Sequence, residues 1–240
     1  MEFGAVETKV RRKCVTDQRK HANREELAVD FSNGFVPLWQ KGTNLTYAFD
    51  LASFRGIFGS QTWKTMAAVQ ELFEQAQQKW EFTDYVTIEQ VDSIFKADFI
   101  VHAAPTNGNM SSGFVLASAF FPNADQNDFY VYPEMFTLGD PLNTMLHEIG
   151  HIYGLRHYFF REEEGFPGLT FGTENEKTIM NYGKNSIFTD TDKKDLKALY
   201  EFVGDSSREK GVPIVLFKSR HELIQGLNEN KTFVIDFKTM

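Results

Sequence analysis

Hydrophobic and polar positions change their period several times along the chain, and the changes mark out strands and helices. Residues 45–49, Leu-Thr-Tyr-Ala-Phe, alternate and are rich in strand formers, which predicts a first β-strand. A helix follows: Trp63, Met66, Val69, Phe73, Ala76 and Trp80 repeat at helical spacing, with Ser60 as the expected N-cap. Strands are expected at 86–91, 99–103, 114–121 and 129–132, with a turn at Asn107-Gly108-Asn109 before the third of them. Asp140-Pro141 is a helix start, with Asp as cap and Pro at the first helical position. That helix should run through His151 and stop near Gly154, since glycine takes the left-handed conformation that ends a helix. Thr189 with Asp192 three residues on resembles a capping box and opens a last helix carrying Leu196, Leu199, Tyr200 and Val203.

The ends read differently. Residues 1–34 are polar, with Arg and Lys clustered at 9–13 and 19–24, and read as an extended leader. Order is expected to begin near Val36-Pro37-Leu38-Trp39. Strand-like runs at 213–217 and 232–237 have no evident place. The pattern thus divides the chain into a leader (1–34), one core domain (35–204) and a C-terminal extension of unassigned role (205–240).

Composition adds little except in its aromatic share: 24 of the 240 residues are Phe, which predicts a Phe-rich core and strand content. A formal net charge of −8 gives no basic face for nucleic acid or an anionic membrane. No apolar run approaches the ~20 residues that span a bilayer. Residues 1–20 lack the apolar stretch of a secretory signal. Cys14 is the single cysteine, so no disulfide can form within the chain.

The chemistry is concentrated at 147–157, His-Glu-Ile-Gly-His-Ile-Tyr-Gly-Leu-Arg-His. On a helix His147 and His151 lie one turn apart on one face, so both imidazoles can reach one metal ion. Gly154 breaks the helix and lets the returning chain bring His157 in as a third ligand. Three neutral imidazoles leave a position open for water, as in a catalytic zinc site. Glu148 stands beside the first ligand, placed to take a proton from that water and pass it to a leaving amine. These residues predict metal-assisted amide hydrolysis. Five fixed positions coincide by chance on the order of once in 10^5 such chains. His21, His102 and His221 have no ligand spacing and read as ordinary histidines.

The string H-E-x-x-H-x-x-G-x-x-H with a downstream methionine resembles the metzincin clan of zinc endopeptidases. Met180, in Thr178-Ile179-Met180-Asn181-Tyr182, matches the clan's Met-turn, a buried methionine beneath the zinc. Trp39-Gln40-Lys41 with Leu45-Thr46-Tyr47, Ala97-Asp98-Phe99-Ile100-Val101, Leu116-Ala117-Ser118-Ala119-Phe120-Phe121-Pro122, and Phe188-Thr189-Asp190-Thr191-Asp192 with Leu199-Tyr200 are similar to the matrixins, the matrix metalloproteinases, in that order. The resemblance covers about residues 36–203. It implies an α+β zincin-like fold: a twisted, mostly parallel sheet with one antiparallel edge strand, an active-site helix and a C-terminal helix. It implies one catalytic Zn2+ on His147, His151 and His157, protein or peptide substrates lying along the edge strand at Leu116 and Ala117, a monomer, and a secreted, extracellular protein.

The chain departs from the matrixin pattern at several places. Ser118 and Tyr130 stand where matrixins place histidines of a structural zinc, and the loop that supplies other ligands is short, so a structural zinc is not expected. Calcium is left open: Asp125, Asp128 and Glu134 are either loose ligand candidates or solvated loop acids. Between His157 and Met180 lie 22 residues, a longer insert than matrixins carry. Tyr182 occupies the position of a zinc-side tyrosine in astacins and serralysins, and reads either as a weak ligand or oxyanion donor or as a structural residue. Cys14, in Arg-Arg-Lys-Cys-Val-Thr-Asp, partly resembles the matrixin propeptide segment whose thiolate caps the zinc, but has no Gly or Pro beside it. It is either a latency switch or an incidental free thiol.

Overall fold

The structure is a computed structural model. It describes residues 12–13, 27–30, 34–106, 108–109, 113–124, 127–157, 168–172, 177–182, 186–204, 214–220 and 237–238. In chain order the first elements are strands β1 (Arg12–Lys13), β2 (Leu27–Asp30), β3 (Val36–Trp39) and β4 (Thr43–Phe49), then helices α1 (Leu51–Phe58) and α2 (Thr62–Trp80). Next come β5 (Val86–Gln90), β6 (Phe99–Ala103), β7 (Gly108–Asn109), β8 (Gly113–Val115), β9 (Ala117–Ser118) and β10 (Asp128–Val131). The chain continues through α3 (Glu134–Thr137), α4 (Pro141–Ile152), β11 (Leu155–Arg156), β12 (Gly168–Phe171), α5 (Asp190–Gly204), β13 (Ile214–Phe217) and β14 (Phe237–Lys238).

The architecture is mixed α and β around a five-stranded sheet in the order β5-β4-β6-β10-β9. The first four strands are parallel, and β9 runs antiparallel at the edge beside β10. Parallel neighbours need crossover connections, and the α1–α2 pair supplies the one from β4 to β5. One buried cluster fills the space between sheet and helices. Its centre is aromatic: Tyr47 stacks on Phe73 at 4.7 Å and on Phe99 at 5.6 Å, and Phe73 meets Phe129 at 5.1 Å. Among the described residues no helix is long and apolar enough to cross a membrane.

The helical region after β4 differs from the expected one. Two helices form instead of one, and Asp50 caps the first by accepting the N–H groups of Ala52 and Ser53 at 3.0 and 3.3 Å. Ser60 lies in the 3-10 turn Gly59–Gln61 and caps nothing. The inward stripe of α2 is Thr62, Val69, Phe73, Ala76 and Trp80, which leaves Trp63 62% exposed. An N-terminal turn one residue out of phase with the expected stripe explains the change: Thr62 takes the inward position and donates its hydroxyl to the Gly59 carbonyl at 2.6 Å. The expected strand at 114–121 is broken into β8 and β9 around Leu116, whose carbonyl accepts from Tyr132 N–H at 3.1 Å.

Strands also come from the segments read as leader and extension. Ala28 and Val29 of β2 are buried. β13 runs parallel to β3, with Ile214 opposite Val36, and Ile214 belongs to the same core cluster. Strand pairing among the described residues therefore begins before Val36: β1 pairs with β8, and β2 has an antiparallel partner on each side that satisfies its backbone.

Candidate metal centre

Helix α4 begins as its sequence dictates. Asp140 accepts the Asn143 N–H at 3.1 Å, and Pro141 occupies the first turn. Its far end is closed by tertiary contacts. The Ile152 carbonyl accepts the Trp39 indole N–H at 2.7 Å and the Tyr153 carbonyl accepts the Tyr200 hydroxyl at 3.2 Å. Gly154 then takes φ +95°, and a side chain there would press on Leu38 Cδ2 and the Pro37 carbonyl, both 2.9 Å from an added Cβ. This turn returns the chain through β11 to His157.

The three histidines meet. Nε2 of His157 lies 3.1 Å from Nε2 of His147 and 3.2 Å from Nε2 of His151. All three side chains are buried, His151 and His157 with no exposed surface. Two of the rings are oriented by backbone carbonyls, which can only accept, so the ring nitrogen facing them carries the proton. His147 Nδ1–H donates to the Ile179 carbonyl at 2.8 Å, and His151 Nδ1–H donates to the Leu155 carbonyl at 2.7 Å. That leaves the lone pairs of both Nε2 atoms on the side of His157 Nε2. Burial lowers the His147 pKa to about 4 and holds His151 and His157 well below the usual range, the latter two also because a proton there would be repelled by the neighbouring histidines, were they charged, and by Arg156. The neutral form is therefore favoured, as a metal ligand requires.

Two inward-facing lone pairs, with a third Nε2 within 3.2 Å of both in a buried site, make a donor set that a cation between them would satisfy. Nitrogens bound 2.0–2.1 Å from a tetrahedral ion sit roughly 3.3–3.4 Å apart, close to the separations found here. The cluster therefore fits a metal ion. No other group of three or more His, Cys, Asp or Glu among the described residues has that convergence.

Glu148, next to His147 on α4, is 2% exposed. Met180 is fully buried in a turn closed by Asn181 N–H on the Thr178 carbonyl at 3.1 Å, and its sulfur lies against Gly150 of α4. The turn thus packs under the ligand helix and presents the Ile179 carbonyl to His147. Tyr182 places its hydroxyl 3.0 Å from His157 Nε2 and its ring against both His147 and His157.

Around this centre lie the remaining residues singled out by sequence. Leu116 and Ala117 are buried where β8 gives way to β9, with Ala117 opposite Val131. Ser118 and Tyr130 face each other across the β9–β10 pair. Asp128 is 3.3 Å from His102 Nε2 and Asp50 is 3.1 Å from His102 Nδ1, so that histidine ties three strand ends together. Glu134 is buried and accepts the Thr106 hydroxyl at 2.6 Å. Asp125 and Cys14 lie outside the described residues, as does most of the insert after His157. β1, which immediately precedes Cys14, pairs parallel with β8: Arg12 opposite Phe114 and Lys13 opposite Val115.

Sequence reasoning did not find the supports of the site. Asp192, visible as a cap for α5, also takes the Thr178 hydroxyl in a short hydrogen bond and faces the Ile179 N–H at 3.5 Å. The roles of the Leu155 and Ile179 carbonyls carry no side-chain signal at all. No protein-family model matches the chain, and no curated protein matches it.

Proposed function

We propose that the protein is a zinc-dependent endopeptidase with a metzincin-type site and a matrixin-like core. The convergence of three buried Nε2 atoms, with a carboxylate next in sequence to the first, carries this reading. The donor set favours zinc: imidazole nitrogens suit it, and three of them leave a site open for chemistry. Zinc held there would supply Lewis acidity, polarising a carbonyl and acidifying water.

The chain's own residues do the rest. The Ile179 and Leu155 carbonyls keep Nε2 of His147 and His151 unprotonated and aimed inward. Glu148 takes the proton of the attacking water on its carboxylate and delivers it to the leaving nitrogen. The Tyr182 hydroxyl, beside His157, is placed to donate to the oxyanion that develops on the scissile carbonyl. An extended peptide adds along the 115–119 segment through backbone hydrogen bonds. The pairing of β1 with β8 supports a latency role for the N-terminal segment. Arg12 and Lys13 already occupy backbone positions of the strand leading into the substrate edge, and Cys14 follows them.

The test is to measure bound zinc per chain and cleavage of an unstructured protein, beside Glu148→Ala and a chelated sample. Zinc bound at one per chain, with cleavage lost in both comparison samples, is expected. Undiminished cleavage by Glu148→Ala would sink the mechanism.

A further inference from the structure

β11 is two residues long, yet it carries one support of the metal centre and leads directly into one of its histidines. Its first residue, Leu155, offers the carbonyl that receives His151 Nδ1–H at 2.7 Å. Its second, Arg156, directly precedes His157. Gly154, with φ +95°, turns the chain just before it. So short a segment does not fix its own backbone; it needs a strand partner. That partner is β2, from the N-terminal segment, with Val29 opposite Leu155 and Ala28 opposite Arg156. On its other side β2 pairs with all four residues of β12, from Gly168 opposite Asp30 to Phe171 opposite Leu27. β2 is thus the central strand of a three-stranded sheet, with Ala28 and Val29 1% and 2% exposed.

We infer that β2 is a positioning element of the metal centre. By pairing with β11 it fixes the Leu155 carbonyl, and through that carbonyl the ring of His151. The same pairing sets the direction in which the backbone delivers His157. An N-terminal stretch that looks dispensable in sequence is therefore built into the ligand geometry. Any part of it that can be removed without harming the site ends before Leu27.

The alternative is that β2 only fills space in the core. Full-length Val29→Gly, Val29→Ala and Val29→Ile are compared with Val69→Ala, a truncation in the middle of α2 at an equally buried position. The first readout needs no metal: two-bond 15N–1H spectra of the imidazoles at pH about 8, where the rings are neutral. Wild type should show His151 as the Nδ1–H tautomer. In Val29→Gly its signals should move toward a tautomer average, because glycine loosens the strand. His147, bonded to a carbonyl on another segment, should keep its tautomer. The second readout is zinc affinity by competition with a chromophoric chelator. Val29→Gly should weaken it about 10–100-fold, as loss of an outer-shell partner does. Val29→Ile and Val69→Ala should leave it close to wild type.

An unchanged His151 tautomer, or a zinc affinity in Val29→Gly no lower than in Val69→Ala, would overturn the inference. Should Val29→Gly fail to fold, Val29→Ala decides the same comparison. The inference rests on the proposed reading only in treating the triad as a zinc site. A wild-type protein that binds no zinc would defeat that reading, and the tautomer measurement would still judge β2.

Discussion

The Ile179 carbonyl lies 2.8 Å from His147 Nδ1, so the residue before Met180 decides which nitrogen of that ring faces the histidine cluster. Asp192 in turn braces this segment. It is 1% exposed and takes the Thr178 hydroxyl, while accepting the Thr189 N–H and hydroxyl at 2.8 and 2.7 Å. Asp192→Ala removes a helix cap and leaves buried donors unpaired, an expected cost of about 2–4 kcal/mol in urea unfolding. Zinc affinity should fall with it, about tenfold or more. Retained affinity in the folded variant would show that the turn keeps its place unaided.

Gly150 is the helix position that faces Met180. A methyl there overlaps the Met180 sulfur and comes within 3.2 Å of its Cε and 3.5 Å of Trp80 Cζ2. Gly150→Ala, despite its gain in helix propensity, should lower stability by about 1–3 kcal/mol, the usual effect of overpacking. Thermal and urea unfolding of the metal-free protein measure this. A more stable variant would mean that the methionine shifts freely.

Tyr182→Phe removes only the hydroxyl 3.0 Å from His157 Nε2. If that group donates to the oxyanion, kcat should drop by about 10²-fold with KM and zinc content unchanged. A parallel loss of zinc would instead make the hydroxyl part of the metal-holding set. Unchanged kinetics would leave the ring contacts with His147 and His157 as its contribution.

Metal-free stability should depend on pH with a definite sign. Burial depresses all three clustered histidines, His147 to about 4 and the other two well below their ordinary value. The unfolded chain therefore binds protons first as acid is added. The stability contribution is complete above the unfolded pKa of about 6.5 and is lost as pH falls toward the folded values. Each histidine contributes a slope of up to about 1.4 kcal/mol per pH unit in that window. Urea melts of chelated protein between pH 8 and 5 test the sign. Flat stability across that range would contradict the burial of the triad.

The N-terminal segment gives a prediction through its two strands. β1 occupies β8, while β2 supports β11. A chain beginning at residue 21 should cleave an unstructured protein faster than the full chain, and Cys14→Ser should raise activity in the full chain. Equal activity in all three would retire the latency role.

Part of this protein was already written in its residue order. The Asp140–Pro141 start of α4, the Thr189–Asp192 cap of α5 and the one-turn spacing of His147 and His151 are local features, set by backbone geometry within a few residues. The parallel strands were readable for the same reason, from short apolar runs bounded by turns. Local pattern failed at α2, where Trp63 shares the helical period yet faces out, since the phase of a stripe depends on the turn that precedes it. It failed again at β2, read as part of a polar leader, and it gave the strand-like run at 213–217 no place; long-range pairing makes β2 a strand and seats β13 beside β3. The supports of the metal centre were hidden for a related reason. The carbonyls of Leu155 and Ile179 are the same in every residue type, so only the tertiary fold could show which of them reaches an imidazole. Sequence determined which side chains could hold a metal; the folded chain decided which backbone atoms aim them.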